Sequence, residues 1–304
     1  MVLHHWLKSQ IQATAGEALR QALSESLRRS DRESEQEGDR RARRSDPDGR
    51  EKGASAFSAR VGIVAALPSE ADPLRRRMEN GIALAGDGFS AYTGKIGGCP
   101  TAVITAGPGE EAARRAAAAL LLGHRPRYVL AAGFAGGLVP ELHRYDIFIP
   151  DVLLHHSGKK LRLDTPAGPA GAAGDSTGGR TWKTGPLLTV QRVVREPAEK
   201  SRLAADFGAW AVDMETFAVA EVCRAAKVPM LAVRVITDTC EDRLSKEVEY
   251  LLEKRLLAQQ LGFAAGTILR RWSALKELWR LYEQAVKAGD RLADFLVAVL
   301  PSFS

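Results

Sequence analysis

The chain divides by the period of its apolar residues. From Arg60 onward, short runs that are apolar almost throughout recur: VGIVAAL (61–67), RYVLAAG (127–133) and MLAVRVI (230–236). Between them lie segments whose apolar residues return every three to four positions, such as ADPLRRRM (71–78), GPGEEAARRAAAALLLGH (107–124), Glu196 to Phe207 and the stretch from Phe217. The runs read as strands covered on both faces, and the periodic segments as the helices that cover them. FSAYTGKIGGCPTAVITAG (89–107) predicts a hairpin about Gly97-Gly98. YDIFIPDVLLHH (145–156) reads as one bent strand or a strand pair, and Asp164 to Thr181, rich in Gly, Ala and Pro, as a long loop. Strands alternating with helices predict an α/β fold, a three-layer α/β/α sandwich on a central sheet.

The two ends read differently. Residues 2–29 carry helical spacing (Leu3, Trp6, Leu7, Ile11, Ala15, Leu19, Leu23, Leu27) with a polar face that is not notably basic, so a helix packed on its own body is expected. Fifteen of the 23 residues from Ser30 to Lys52 are charged, seven basic and eight acidic. Such a segment cannot offset its ordering entropy and reads as a linker. After Arg243 the pattern is helical. Ser273 is a candidate N-cap, with Leu275, Leu278, Trp279, Tyr282 and Val286 at helical spacing, for a helix packed on the core or on a second subunit. The expected organisation is a helix (1–29), a linker (30–59), a catalytic domain (60–242) and a helical extension (243–304).

Composition excludes several classes. The net charge is +6 over 304 residues. Residues 1–60 account for +2 of it, and no basic stripe with interleaved aromatics appears, so nucleic acid is not an expected partner. The three cysteines (Cys99, Cys223, Cys240) form no C-x-x-C pair. That argues against a disulfide framework or a thiolate metal site and suits a reducing compartment. The N-terminal stretch shows no apolar core followed by a small-residue cleavage site, and the longest nearly apolar run, Tyr128 to Pro140, is too short to span a bilayer. A cytoplasmic protein is expected, with membrane-surface contact the lesser reading of its amphipathic ends.

Candidate chemistry lies at the ends of the apolar runs, where α/β folds build their sites. Glu70 follows the first run. Taken alone, it reads as a first-turn acid serving helix amides. Gly107-Pro108-Gly109 opens a helix and could present N–H groups to an anion, but Glu110 and Glu111 in the first turn would repel a phosphate. AAGFAGGL (131–138) lacks the dinucleotide spacing G-x-G-x-x-G; its glycines suit either a ligand's approach or a tight packing turn. Asp213, Met214 and Glu215 stand between two apolar runs, and Asp238 ends the next one. Acids at such places cost solvation unless something satisfies or uses them. His155-His156 and His4-His5 are adjacent pairs, whose members point to opposite faces on a strand, so no metal or cofactor is expected.

Taken in order, a strand then Glu70, a glycine turn, a strand then GFAGGL, VDMET, and a strand then VITD resemble the purine nucleoside phosphorylase superfamily. The pattern is similar in particular to its methylthioadenosine/S-adenosylhomocysteine nucleosidase branch. The resemblance covers about Val61 to Arg243, and its specific part is M-E-T followed after 23 positions by Asp238. It implies the fold of that superfamily, with a mixed central sheet, and a homodimer. It implies that Glu215 binds the ribose hydroxyls and stabilises a cationic sugar, that Asp238 protonates the leaving purine, and that Glu70 activates water. Met214 would pack on the ribose, Phe134, Ala135 and Gly136 would lie beside the base, Val193 would meet the base edge, and Gly109 would line the site. The chemistry is coherent: a carboxylate faces the sugar, a protonated carboxyl faces the base, and a third acts as general base.

Departures are present. Arg192 stands where the branch usually has an aromatic, Phe134 where it has serine, and Thr237 where it has serine. LLTVQRVVREPAEKSRLA and the C-terminal helices are also similar to hopanoid-associated nucleoside phosphorylases. The expected activity is hydrolysis of a 5′-substituted adenosine to adenine and free sugar. Phosphorolysis of a purine nucleoside, including a lipid-linked one, is the alternative, and a non-catalytic nucleoside-binding protein is a third reading.

Overall fold

The computed structural model describes residues 58–86, 89–163, 182–244 and 272–303. The expected helix at 1–29, most of the linker, the 164–181 loop and residues 245–271 lie outside the described residues. Ala59, at the linker's expected end, is already buried, and its N–H meets the His124 carbonyl at 3.3 Å.

The apolar runs form the centre of a twelve-stranded mixed sheet. β1 (Val61–Ala65) is buried at every residue and pairs in parallel with β4 (Cys99–Thr105) and β5 (Tyr128–Gly137). On its other side β5 pairs in parallel with β12 (Met230–Asp238), from Val129 to Gly136. Its last two residues turn to a different neighbour, β11 (Ala211–Asp213), which runs antiparallel. β5 therefore joins two halves of the sheet. One is β2 (Glu79–Gly86), β3 (Phe89–Ile96), β4 and β1; the other is β11, β10 (Pro186–Thr189), β7 (Val152–His155) and β8 (Lys160–Arg162). β6 (Ile147–Phe148) pairs β12 and β9 (Trp182–Lys183). The 145–156 stretch is thus two strands in different parts of the sheet.

Helices cover both faces, as expected. α2 (Glu110–His124) and α4 (Thr216–Ala225) bury Ala113, Ala117, Leu120, Phe217 and Val219 against one face. On the other face α1 (Pro68–Arg76) and α5 (Trp272–Val299) bury Leu74, Ala288, Leu292 and Leu296 with Ile63, Val233 and Val235. The C-terminal helix is thus a layer of the same sandwich. α3 (Pro197–Phe207) lays Leu203, Ala204 and Phe207 on Leu188, Val194 and Val212. A fully buried Ile or Leu contributes about 1.5–3 kcal/mol, so these stripes decide which helix face turns inward. Among the described residues no helix is long and apolar enough to cross a membrane.

Three local features differ from the sequence reading. β2 is not expected from ENGIALAG, which carries Asn80-Gly81 near its start and lacks strand alternation; Asn80 takes a positive φ of 51°, and the pairing register shifts between Glu79 and Ile82. Phe134 to Gly137 lie within β5 rather than after it. His156 is already in a turn, so His155 and His156 do not diverge: their ring centroids are 4.0 Å apart.

Candidate active site

The acids converge at the carboxyl ends of β1, β5, β11 and β12. Glu70 turns back from the first turn of α1 onto the end of β1. Its Oε2 accepts the Ala66 and Leu67 N–H groups at 2.8 Å each, and its Oε1 accepts the Phe134 N–H at 2.8 Å. A carboxylate offers about four acceptor positions, so one remains on Oε1 for a further donor. Burial raises the Glu70 pKa, while Arg234 and the three amides pull it back.

Arg234 comes from the middle of β12 and is 2% exposed. It pairs with Asp213 at 2.8 Å and donates to the Thr216 hydroxyl. Asp213 also accepts the Thr189 hydroxyl at 2.7 Å and the Thr216 N–H at 3.0 Å. Asp213 thus closes the start of α4 and holds Arg234. The arginine and Glu70 both crowd position 133, which must be glycine to admit them. A Cβ there would stand 2.7 Å from Glu70 Oε1 and overlap the Arg234 guanidinium.

Glu215, half-buried, precedes α4. Its Oε1 accepts the Gly109 N–H at 2.7 Å and its Oε2 the Met214 N–H at 3.3 Å. The anion at the Gly107–Gly109 turn is therefore Glu215 itself. Gly109 holds φ at 93°, a left-handed value that favours glycine. Burial, then the charge of Asp213, push the Glu215 carboxyl up to about 8, with Glu70 adding to the rise and Arg234 and the Gly109 N–H opposing it. Three acids crowd one arginine, so Glu215 holds its proton near neutral pH, and a positive ligand would favour its ionised form. A cavity of about 10 Å³, lined among others by Ala66, Ala106, Glu215 and Arg234, adjoins this cluster. That is room for roughly one water molecule.

Asp238 is placed by a bulge. Ile236 pairs with Ala135 and Asp238 with Gly136, so Thr237 is the extra residue and Asp238 takes the register slot that Thr237 would otherwise fill. Gly136 again makes room: a Cβ there would lie 3.0 Å from Asp238 Oδ2. The Thr237 hydroxyl donates to Oδ1 at 2.9 Å, and the Lys200 ammonium donates to Oδ2 at 2.5 Å. Burial raises the Asp238 pKa, against the pull of Lys200 and Thr237.

Of the residues expected at the site, the structure ties Glu70, Glu215 and Gly109 to one cluster, with Phe134 joined through its N–H. Asp238 and Gly136 meet farther along β5. Ala135 is buried beside them, and its carbonyl lies 3.4 Å from the Thr237 hydroxyl. Met214 and Val193 are half-buried. The Phe134 ring packs against the apolar layer of α1 and α5. Arg192 is exposed and pairs with Glu199 of α3. Sequence reasoning missed Arg234 and Lys200. It also missed a neighbouring trio, in which Glu110 accepts His155 Nε2 at 3.1 Å and one ligand-capable atom each of Glu110, His155 and His156 lie within 4.8 Å of one another.

Strand ends of a mixed α/β sheet are where such folds place small-molecule sites, and the buried carboxylates mark this one as the candidate. The pattern that describes the phosphorylase superfamily matches residues 60–266. Solved structures share the fold. A methylthioadenosine/S-adenosylhomocysteine nucleosidase of S. pneumoniae is 19% identical, covers 80% of this chain and 99% of its own, and gives a TM-score of 0.63. The Neisseria meningitidis nucleosidase is 21% identical over 78% of this chain and 98% of its own, with a TM-score of 0.59. A Helicobacter pylori futalosine hydrolase is 19% identical over 80% and 96%, with a TM-score of 0.61. The chain belongs to the phosphorylase superfamily. Membership of that superfamily makes it an enzyme.

Proposed function

We propose that this enzyme uses water to cleave the N-glycosidic bond of a 5′-substituted adenosine, releasing adenine and free sugar. Glu215 faces the sugar and stabilises the positive charge that develops as the bond breaks. Asp238 gives a proton to the departing base, and Glu70 takes one from the attacking water through its remaining acceptor position. Met214 packs on the ribose, while Ala135, Gly136 and Val193 border the base.

One observation carries the choice of nucleophile. The two buried cations among the described residues, Arg234 and Lys200, are both engaged by carboxylates. Neither is left to neutralise a phosphate, whereas Glu70 keeps room for water. The substrate class rests on likeness to methylthioadenosine/S-adenosylhomocysteine nucleosidases. The account includes a homodimer, which light scattering on the purified protein would test, and a cytoplasmic location.

The test is adenine release from methylthioadenosine, S-adenosylhomocysteine and inosine. Turnover of the first two, little of the third, and its loss in a folded Asp238→Asn variant are expected. Near-normal activity of that variant would remove Asp238 as the acid. An enzyme inert toward both adenosines but active on a lipid-linked adenosine would overturn the substrate class.

A further inference from the structure

Lys200 is the most deeply buried ammonium among the described residues, with 0% of its side chain exposed. It sits in the first half of α3, and each of its three N–H donors has an acceptor. These are Asp238 Oδ2 at 2.5 Å, the Thr239 carbonyl at 2.6 Å and the Asp242 carbonyl at 3.0 Å. A lysine is rarely buried to this degree without a charged partner. Here the partner is the carboxyl that the proposed function makes the acid, and the carbonyls belong to the turn that follows it. The Thr237 hydroxyl holds the other oxygen, Oδ1. Both oxygens of Asp238 thus accept from fixed donors, which draws it back toward the ionised form against the rise that burial imposes. An ionised carboxylate has no proton of its own for a departing base.

We propose that Lys200 is a positioning residue that aims Asp238 at the leaving base and supplies the proton that Asp238 delivers. This inference rests on the nucleosidase reading. As the bond between sugar and base breaks, its electron pair goes to the base. The base takes a proton through Asp238, and Asp238 takes the one that Lys200 already shares with Oδ2. Lys200 becomes a neutral amine that still donates to the carbonyls of Thr239 and Asp242. Water adds to the sugar and loses its proton to Glu70. Exchange with solvent returns the Glu70 proton and restores the Lys200 ammonium, so the cycle closes with no net change in the protein.

The geometry also explains the path of the chain. α3 follows directly on the Val190–Glu196 segment that carries Val193. Leu244 N–H meets the Arg195 carbonyl at 3.1 Å and Arg195 Nε meets the Leu244 carbonyl at 3.2 Å. The start of α3 is thereby tied to the chain that follows the turn after Asp238.

The experiment compares Lys200→Met, Lys200→Arg, Asp238→Asn and the Lys200→Met/Asp238→Asn double variant with the wild-type enzyme. Two substrates are used: methylthioadenosine, and p-nitrophenyl β-D-ribofuranoside, whose leaving group departs as a stable anion. Lys200→Met is expected to lower kcat on methylthioadenosine by about 100-fold or more, the usual scale for general acid catalysis, with KM changed by less than about threefold. Cleavage of the p-nitrophenyl substrate is expected to fall by less than about fivefold. The double variant is expected to be no slower than Asp238→Asn, because the two residues act as one unit. Lys200→Arg keeps the charge and guards against loss of fold. It is expected to cleave the p-nitrophenyl substrate yet remain slow on methylthioadenosine, since a guanidinium does not give up its proton. Equal losses on both substrates, multiplying losses in the double variant, or near-wild-type adenine release by either Lys200 variant would overturn the proposal. If the wild-type enzyme ignores the p-nitrophenyl substrate, the double variant decides alone. A wild-type enzyme inert toward every nucleoside would remove the nucleosidase reading and this assignment with it.

Discussion

Gly109 donates its N–H to Glu215 Oε1 at 2.7 Å across 106 positions of sequence. The helix that follows Gly109 aims its N-terminus at the carboxylate proposed to face the sugar. Substituting Gly109→Ala forces a side chain onto a backbone at φ 93°. It is expected to cost about 1 kcal/mol of stability and to misplace Glu215. Urea melts and kcat on the same preparation check it; unchanged values for both would show that the turn tolerates a Cβ.

Glu215 makes stability pH-dependent. Its carboxyl lies at about 8 in the folded protein against 4.5 in the unfolded chain. The folded state therefore holds the extra proton between these values. The stability this contributes is complete below about 4.5 and is lost as pH rises through about 8. Glu215→Gln cannot titrate, so it is expected to flatten this part of the profile and to abolish turnover. A variant with the wild-type slope would assign the slope to another group.

Arg234 is the shared counter-ion of Asp213 and Glu70. Arg234→Met would leave both buried acids without it, at a cost of roughly 3–5 kcal/mol. Arg234→Met combined with Asp213→Asn is expected to recover part of that loss, because the second change removes one stranded charge. Denaturant midpoints of the two single variants and the double test this; strictly additive losses would contradict the pairing.

Gly133 and Gly136 are spacers on β5. Gly133→Ala is expected to destabilise the fold by about 1–3 kcal/mol, because the new Cβ must displace Arg234 and Glu70. Gly136→Ala is expected to be milder for stability and more harmful to activity, since its Cβ meets Asp238 Oδ2 at 3.0 Å. Thermal melts and adenine release separate the two, and the reverse ranking would contradict the geometry.

No step of the proposed chemistry calls on a metal, so EDTA treatment is expected to leave turnover unchanged. A loss reversed by Zn²⁺ would instead direct attention to Glu110, His155 and His156, whose ligand atoms lie within 4.8 Å of one another.

Much of the frame was legible because β1, β5 and β12 are apolar almost throughout, which few arrangements other than a sheet covered on both faces accommodate. The acids were legible because Glu70, Glu215 and Asp238 end apolar runs. Their partners were not. Lys200 stands between Glu199 and Ser201 in a helix of mixed charge, and its burial depends on acceptors up to 42 positions away. Arg234 interrupts MLAVRVI by a single charge, and its partners come from two distant parts of the chain, Asp213 with Thr216 and Glu70. The bulge that re-aims Asp238 is a matter of pairing register, which Thr237 alone does not announce. His155 and His156 misled because the strand ends between them.

The account stands on water as the nucleophile. Its most direct test is the rate of adenine release from methylthioadenosine as phosphate is raised from zero, with the sugar product identified at each point. The proposed hydrolysis predicts a rate independent of phosphate, free sugar as the product, and loss of that rate in Glu70→Gln. Saturating dependence on phosphate with sugar 1-phosphate as the product would contradict it.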